Sequence, residues 1–256
     1  MNVIIMAAGV GSRLDKFLDN KPKCLIQAGG ETLISRVVRL FKKIGIRDIS
    51  VVTGYQAHQI QNELGLGVKF YHNPFYSVTN SIASLWLARK EIHQDTILMN
   101  ADLFFEENLL EILMEAKEPV SMLADTTRVA TADYRFGFDG DLICRYGKQL
   151  SNEETDAEYV GIARINKDFV SPFKQKLENL ILQNNFHVWW EDAIYSHILE
   201  GYPVVYKDVA GIFWTEVDCV EDYLRLTNWT EKNSSTVSIE QISHNRHLKF
   251  KELARN

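Results

Sequence analysis

The sequence predicts an α/β fold with a doubly wound, mostly parallel mixed sheet. Three observations carry that expectation. A short continuous apolar run, Val3 to Met6, opens the chain. Strand-like and helix-like stretches alternate through about the first hundred residues, and glycines stand where several of them end. An uninterrupted apolar strand suits a parallel sheet covered on both faces. The alternation predicts βαβ units with right-handed crossovers, whose ligands bind at the carboxyl ends of the strands.

Taken in order, Val3 to Met6 is the first strand and Ala7 to Ser12 a glycine-containing loop. Thr32 to Ile44 is a helix, because Leu33, Val37, Leu40, Phe41 and Ile44 share one face. Gly45 ends it. Asp48 to Thr53 is a strand broken by Gly54, Ala57 to Leu64 a short helix, and Val68 to His72 a strand. Ser81 to Glu91 is a helix and Thr96 to Asn100 a fourth strand. The second half is less regular. Val120 to Ala124, Phe136 to Phe138, Leu142 to Arg145, Tyr159 to Ile165 and Val204 to Asp208 read as strands of a mixed sheet. Helices are expected over Ser171 to Gln183, Glu191 to Leu199 and Val220 to Thr230. Without repeat or linker, residues 1–230 read as one domain and 231–256 as a polar C-terminal extension.

At 256 residues, with 46% hydrophobic and 24% charged side chains, the chain can bury a full α/β core. A net charge of −6 gives no long-range attraction for nucleic acid or anionic lipid, so neither partner is expected. The three cysteines are widely spaced and form no CxxC, which argues against a disulfide framework or a structural zinc. The seven histidines lack metal-ligand spacing, and no Ser or Cys has an evident base partner. No apolar run approaches the roughly 20 residues of a membrane span, and the N-terminus lacks a signal-peptide pattern. The expectation is a cytoplasmic protein, with a homodimer left open as its assembly.

The chemistry concentrates in five places. Ala7-Ala8-Gly9-Val10-Gly11-Ser12-Arg13-Leu14 offers small residues, backbone N–H groups and a guanidinium to phosphate oxygens. Lys23, after Pro22, adds a point charge. The loop carries neither a full GxGxxG nor a Walker A pattern, and alone it also reads as a tight turn. Asp102 follows the Thr96 to Asn100 strand, where an acid suits Mg²⁺ as well as a turn or helix cap. Asp218 lies before the last helix, where an acid suits an N-cap. Trp189-Trp190-Glu191-Asp192 joins two tryptophans to two acids, a combination suited to a cationic head. The same residues also suit a core tryptophan and a helix cap.

Gly9-Val10-Gly11-Ser12-Arg13-Leu14 with Lys21-Pro22-Lys23-Cys24-Leu25 resembles the signature of the nucleotidyltransferases that activate sugar phosphates and related phosphoalcohols. The resemblance implies a Rossmann-like, GT-A-like fold in which Ala7, Ala8, Gly9, Gly11 and Ser12 bind the triphosphate. It gives Arg13 and Lys23 catalytic roles on the phosphates, and makes Asp102 and Asp218 ligands of Mg²⁺. Asn80, Ser81 and Ser84 match a stretch beside the base in the phosphocholine cytidylyltransferase branch. The glutamine and glycine usual in sugar-activating members are missing there, which favours CTP over dTTP or UTP. Trp190, Glu191 and Asp192, with Tyr159, would then bind a small phosphorylated or phosphonylated acceptor. Phosphocholine, phosphoethanolamine, an aminoalkylphosphonate and a phosphorylated amino acid or polyol all stay open. So do a sugar 1-phosphate acceptor with UTP or dTTP, a glycosyltransferase, and a nucleotide-binding regulator without catalysis. Against the glycosyltransferase, Ala101-Asp102-Leu103-Phe104 contains no DxD.

Overall fold

The computed structural model describes residues 1–11 and 20–233. In chain order the elements are β1 (Asn2–Ala7), β2 (Gln27–Ala28), β3 (Glu31–Thr32), α1 (Leu33–Lys43), β4 (Ile49–Thr53), α2 (Ala57–Leu64) and β5 (Lys69–His72). Next come α3 (Ser81–Leu87), β6 (Thr96–Asn100), β7 (Leu103–Phe105), α4 (Leu109–Glu115), β8 (Val120–Asp125), β9 (Arg135–Asp139), β10 (Leu142–Gly147) and β11 (Ala157–Ile165). The chain continues through α5 (Val170–Leu182), α6 (Asp192–Leu199), β12 (Val205–Asp208) and β13 (Trp214–Glu216). A final helix, α7, covers 220–233. No described helix is long and apolar enough to cross a membrane.

Among the described residues, nine strands form one mixed sheet in the order β5-β4-β1-β6-β11-β8-β12-β10-β9. β1 pairs in parallel with β4 on one side and β6 on the other. The chain therefore leaves β1 in one direction and returns on its opposite flank, which makes the β1/β6 junction a switch point. All six residues of β1 are buried. Val3, Ile5 and Ala7 pack with α1 residues such as Val37 and Phe41, whereas Ile4 and Met6 pack with Ile82 and Leu85 of α3. The side-chain period of two thus feeds two cores, one on each face. Thr32 caps α1 by accepting from the Ser35 N–H at 3.2 Å.

The helix expected to reach Glu91 stops at Leu87, and a 3-10 turn over Arg89–Glu91 follows. Glu91 has other engagements: its carbonyl accepts from Asn2 Nδ2 at 2.6 Å, and its carboxylate pairs with Lys69 at 2.7 Å. The pattern also gave no sign of β7, α4 or β13. β13 pairs with β7 as a separate two-stranded ladder, Glu216 opposite Leu103. The Val217 N–H donates to the Asp102 carbonyl at 2.9 Å. That ladder carries the end of the chain to the carboxyl edge of β6.

Candidate active site

β1 and β6 run in register, Met6 beside Asn100, and the Ala101 N–H donates to the Met6 carbonyl at 3.1 Å. The loop after β1 and the Asn100–Asp102 segment therefore leave the sheet side by side. Ala7 and Ala8 stay buried, and Ala8 accepts from the Tyr55 N–H at 3.0 Å, which ties the loop to the end of β4. Gly11 has φ +73°, and a Cβ there would lie 2.5 Å from Lys23 Cγ. Only glycine allows both the left-handed backbone and the passage of the lysine. Ser12 and Arg13, expected on the triphosphate, lie outside the described residues.

Pro22 fixes the entry to the short turn Lys23–Leu25. Lys23 Nζ pairs closely with Asp218 and lies 3.8 Å from Asp102 Oδ2. Burial works against its charge, but Asp102 and Asp218 outweigh that and hold its pKa above the ordinary value. Burial pushes the Asp102 carboxyl above its usual range, with Lys23 opposing and Asp218 adding to the rise. Two acids about a hundred residues apart in sequence thus converge on one cation. The Asp222 carboxylate accepts from the N–H groups of Asp218 (3.1 Å) and Cys219 (3.0 Å), capping the start of α7 and fixing the backbone of Asp218.

Two carboxylates already gathered on an ammonium are a fitting donor set for a hard divalent cation such as Mg²⁺. Among the described residues no three His, Cys, Asp or Glu side chains are grouped to hold a metal by themselves. An ion there would complete its shell with phosphate oxygens and water.

A cavity of about 300 Å³ joins the loop, Lys23, Asp102 and Asp218 to the start of α3. Asn80, Ser81 and Ser84 line it, as expected from the sequence, although each also has a structural partner. Asn80 Oδ1 caps α3 by accepting from the Ser81 N–H at 2.8 Å. Ser81 Oγ accepts from the Trp190 N–H at 2.9 Å, and Ser84 Oγ accepts from Asn73 Nδ2 at 3.0 Å. Tyr76 and Trp189 line the same space.

A second cavity, of about 90 Å³, adjoins it across Asn100, Trp189 and Glu216. Tyr134, Tyr159, Trp189 and Tyr195 give it aromatic walls, and Glu191 a carboxyl. The Tyr134 ring lies 6.1 Å from Tyr159, 5.8 Å from Trp189 and 5.7 Å from Tyr195. Of the residues expected on the acceptor, Tyr159 and Glu191 line this cavity. Trp190 and Asp192 do not. Trp190 is 0% exposed and packed in the core, donating from Nε1 to Asn100 Oδ1 at 2.9 Å. Asp192 turns back to accept from the Trp189 N–H at 2.8 Å, as a helix-start acid does. The tryptophan on the cavity wall is Trp189, 43% exposed.

Sequence reasoning missed Asn100, Tyr134 and Glu216. Asn100 receives Trp190 on one side and donates from Nδ2 to Glu216 Oε1 at 3.2 Å on the other. Burial drives the Glu216 carboxyl well above its ordinary range, and Asp102 and Asp218 add to the rise. An acid two residues before Asp218 was the available signal for Glu216; Tyr134 gave none.

Burial likewise pushes Glu191 up to about 8. An acid whose folded pKa exceeds its unfolded value of about 4.3 stabilises the fold through its bound proton. That contribution is complete below about pH 4.3 and disappears as pH rises through about 8. Glu191→Gln is therefore expected to gain on the wild type between about pH 5 and about pH 9. Urea midpoints at the two pH values measure it, and an unchanged difference counts against a protonated Glu191.

Residues 3–208 match the MobA-like NTP transferase domain. The chain belongs to this family. Its members are nucleotidyltransferases, and family membership leaves the glycosyltransferase reading without support. The chain is 26% identical over 248 residues to the CTP:phosphoglutamine cytidylyltransferase of Campylobacter jejuni, covering 87% of this chain and 97% of that protein. It is also 26% identical over 235 residues to the choline-phosphate cytidylyltransferase of Streptococcus pneumoniae, covering 88% and 96%. A putative glucose-1-phosphate thymidylyltransferase from Bacillus anthracis shares the fold, with a TM-score of 0.74 at 19% identity over 90% of this chain and 95% of that one. One fold therefore serves relatives that differ in base and acceptor, so the fold does not choose between them.

Proposed function

We propose that this family member is a Mg²⁺-dependent cytidylyltransferase. It transfers CMP from CTP to a small metabolite that carries a phosphate or phosphonate and a cationic head, and releases pyrophosphate. The observation that supports this most is the shared wall of the two cavities. One has the phosphate-binding loop, Lys23 and the two aspartates; the other has aromatic rings and the Glu191 carboxyl. Aromatic faces attract a cationic head, and a cation bound there would favour the ionised form of the Glu191 carboxyl. Both relatives described above are named as cytidylyltransferases, and the Campylobacter jejuni one names CTP.

In this reading an acceptor phosphate oxygen attacks the α-phosphorus, the new P–O bond forms, and the bond to the pyrophosphate oxygen breaks. The attacking oxygen is already an anion, so no general base is needed. Asp102 and Asp218 would hold Mg²⁺, which when bound neutralises charge on the phosphate oxygens. Lys23 adds its charge from the same edge, and the N–H groups around Gly9 and Gly11 face the oxygens. Asn80, Ser81 and Ser84 offer polar contacts along the base side.

The test is pyrophosphate release from CTP, UTP, dTTP, ATP and GTP with phosphocholine, phosphoethanolamine, an aminoalkylphosphonate and glucose 1-phosphate, with Mg²⁺ or with EDTA. Release is expected with CTP and a cationic acceptor, and is expected to stop with EDTA. Use of UTP or dTTP without CTP would move the chain to the sugar-activating branch. Nucleotide binding with no release for any acceptor would make it a regulator.

A further inference from the structure

A third cavity, of about 310 Å³, shares Glu216 and Asp218 with the triphosphate cavity and Asp133, Glu158 and Glu216 with the aromatic one. All three spaces meet at Glu216. Two guanidiniums line the third space, those of Arg128 and Arg225, and the transfer chemistry described above uses neither.

Arg128 lies 4.1 Å over the Trp214 ring, and its Nε pairs with Glu158 at 2.7 Å. Its Nη1 is buried with no hydrogen-bond partner among the described residues. Arg225 donates from Nη2 to Thr215 Oγ1 and stands 3.7 Å from Asp222, while its Nε is likewise without a described partner. A guanidinium has five donors in a fixed fork, so each keeps several in reserve.

Acids also line this space, and each has a partner; Glu216 accepts from Asn100 Nδ2 at 3.2 Å. Glu158 serves Arg128 and the Asp133 N–H, at 2.8 Å. Asp133 takes Lys148 at 2.6 Å. Asp222 holds the backbone at the start of α7, and Asp218 pairs with Lys23. The guanidinium N–H donors with capacity in reserve match the planar fork of a carboxylate. The aromatic cavity points to the same class of molecule. At about 90 Å³ it is small, and a compact –NH₃⁺ suits it better than a bulkier head.

Building on the cytidylyltransferase reading, we propose that Arg128 and Arg225 bind a carboxylate of the acceptor, so that the preferred acceptor is a phosphorylated amino acid. Its ammonium group enters the aromatic cavity, its carboxylate lies at the guanidiniums, and its phosphate reaches the Asp218 edge of the triphosphate cavity. The three cavities then recognise three charges of one small molecule. The Campylobacter jejuni relative is named for a phosphorylated amino acid, in agreement with this assignment.

O-phospho-L-serine and phosphoethanolamine differ only in the carboxylate. The experiment compares kcat/KM for this pair, and for other phosphorylated amino acids with their decarboxylated counterparts, using CTP and Mg²⁺. Wild-type enzyme is expected to prefer the carboxylated member by about tenfold or more, the range of a hydrogen bond to a charged group. Arg225→Gln is expected to bring that ratio towards one, and Arg225→Lys to keep part of it, with circular dichroism confirming the fold. Equal or better use of the decarboxylated members by wild-type enzyme overturns the proposal. So does an Arg225→Gln variant that loses both members equally, which assigns the guanidinium to the phosphate. Either result leaves CMP transfer standing, whereas no pyrophosphate release from CTP with any acceptor overturns both.

Discussion

Asp102→Ala and Asp218→Ala are each expected to lower kcat by at least about 10²–10³-fold, the loss typical of removing one preorganised electrostatic contact. Both carboxylates converge on Lys23, at the carboxyl edge where β1 and β6 run in register. In the proposed reaction, removing either would leave one acid to place a divalent ion, and the charge developing on the departing pyrophosphate would be less well met. The Mg²⁺ concentration for half-maximal rate should rise in each variant. Neither side chain is core, with relative exposures of 21% and 24%, so circular dichroism should match the wild type. Steady-state pyrophosphate release over a Mg²⁺ series makes the measurement. Full activity at low Mg²⁺ in one variant would remove that residue from the ion.

The largest loss of stability is expected at Trp190. It is fully buried, its Nε1 donates to Asn100 and its backbone N–H to Ser81. Trp190→Ala removes a large buried side chain and leaves Asn100 Oδ1 without its donor. The expected cost is about 3–5 kcal/mol, read from urea unfolding. Trp189→Ala should behave differently. Its ring is 43% exposed and lines both cavities, so unfolding should shift by about 1 kcal/mol or less, while the acceptor KM rises. Equal destabilisation by both variants would mean that the two rings share one structural role.

The two variants also mark where sequence reasoning reached its limit. Two adjacent tryptophans before a helix allow either ring to face inward. The choice depends on how the 189–192 turn docks on α3 through the Trp190–Ser81 hydrogen bond. The same limit applies to Glu216, which reaches the site only because β13 pairs with β7. Three-residue strands give too little alternation to be seen as strands. Tyr134 comes from the segment before β9, at a distance no local pattern encodes.

Locally encoded features were legible. Apolar runs and the period of α1 gave the sheet and its helix layers, because burial on both faces leaves its record in neighbouring residues. Gly11, Lys23 and the acid after β6 could be picked out because a strand–loop–helix turn confines the residue types it accepts. By itself, then, the sequence determined the α/β architecture and placed the glycine loop and Asp102 at strand ends. Only the tertiary structure decided that Asp102 and Asp218 meet, through the Val217–Asp102 hydrogen bond. It also decided which tryptophan is core and that three cavities join at Glu216. The physical reason is range. Backbone and burial preferences act over a few residues, whereas a binding site depends on contacts between segments a hundred residues apart, which exist only once the sheet has closed its order.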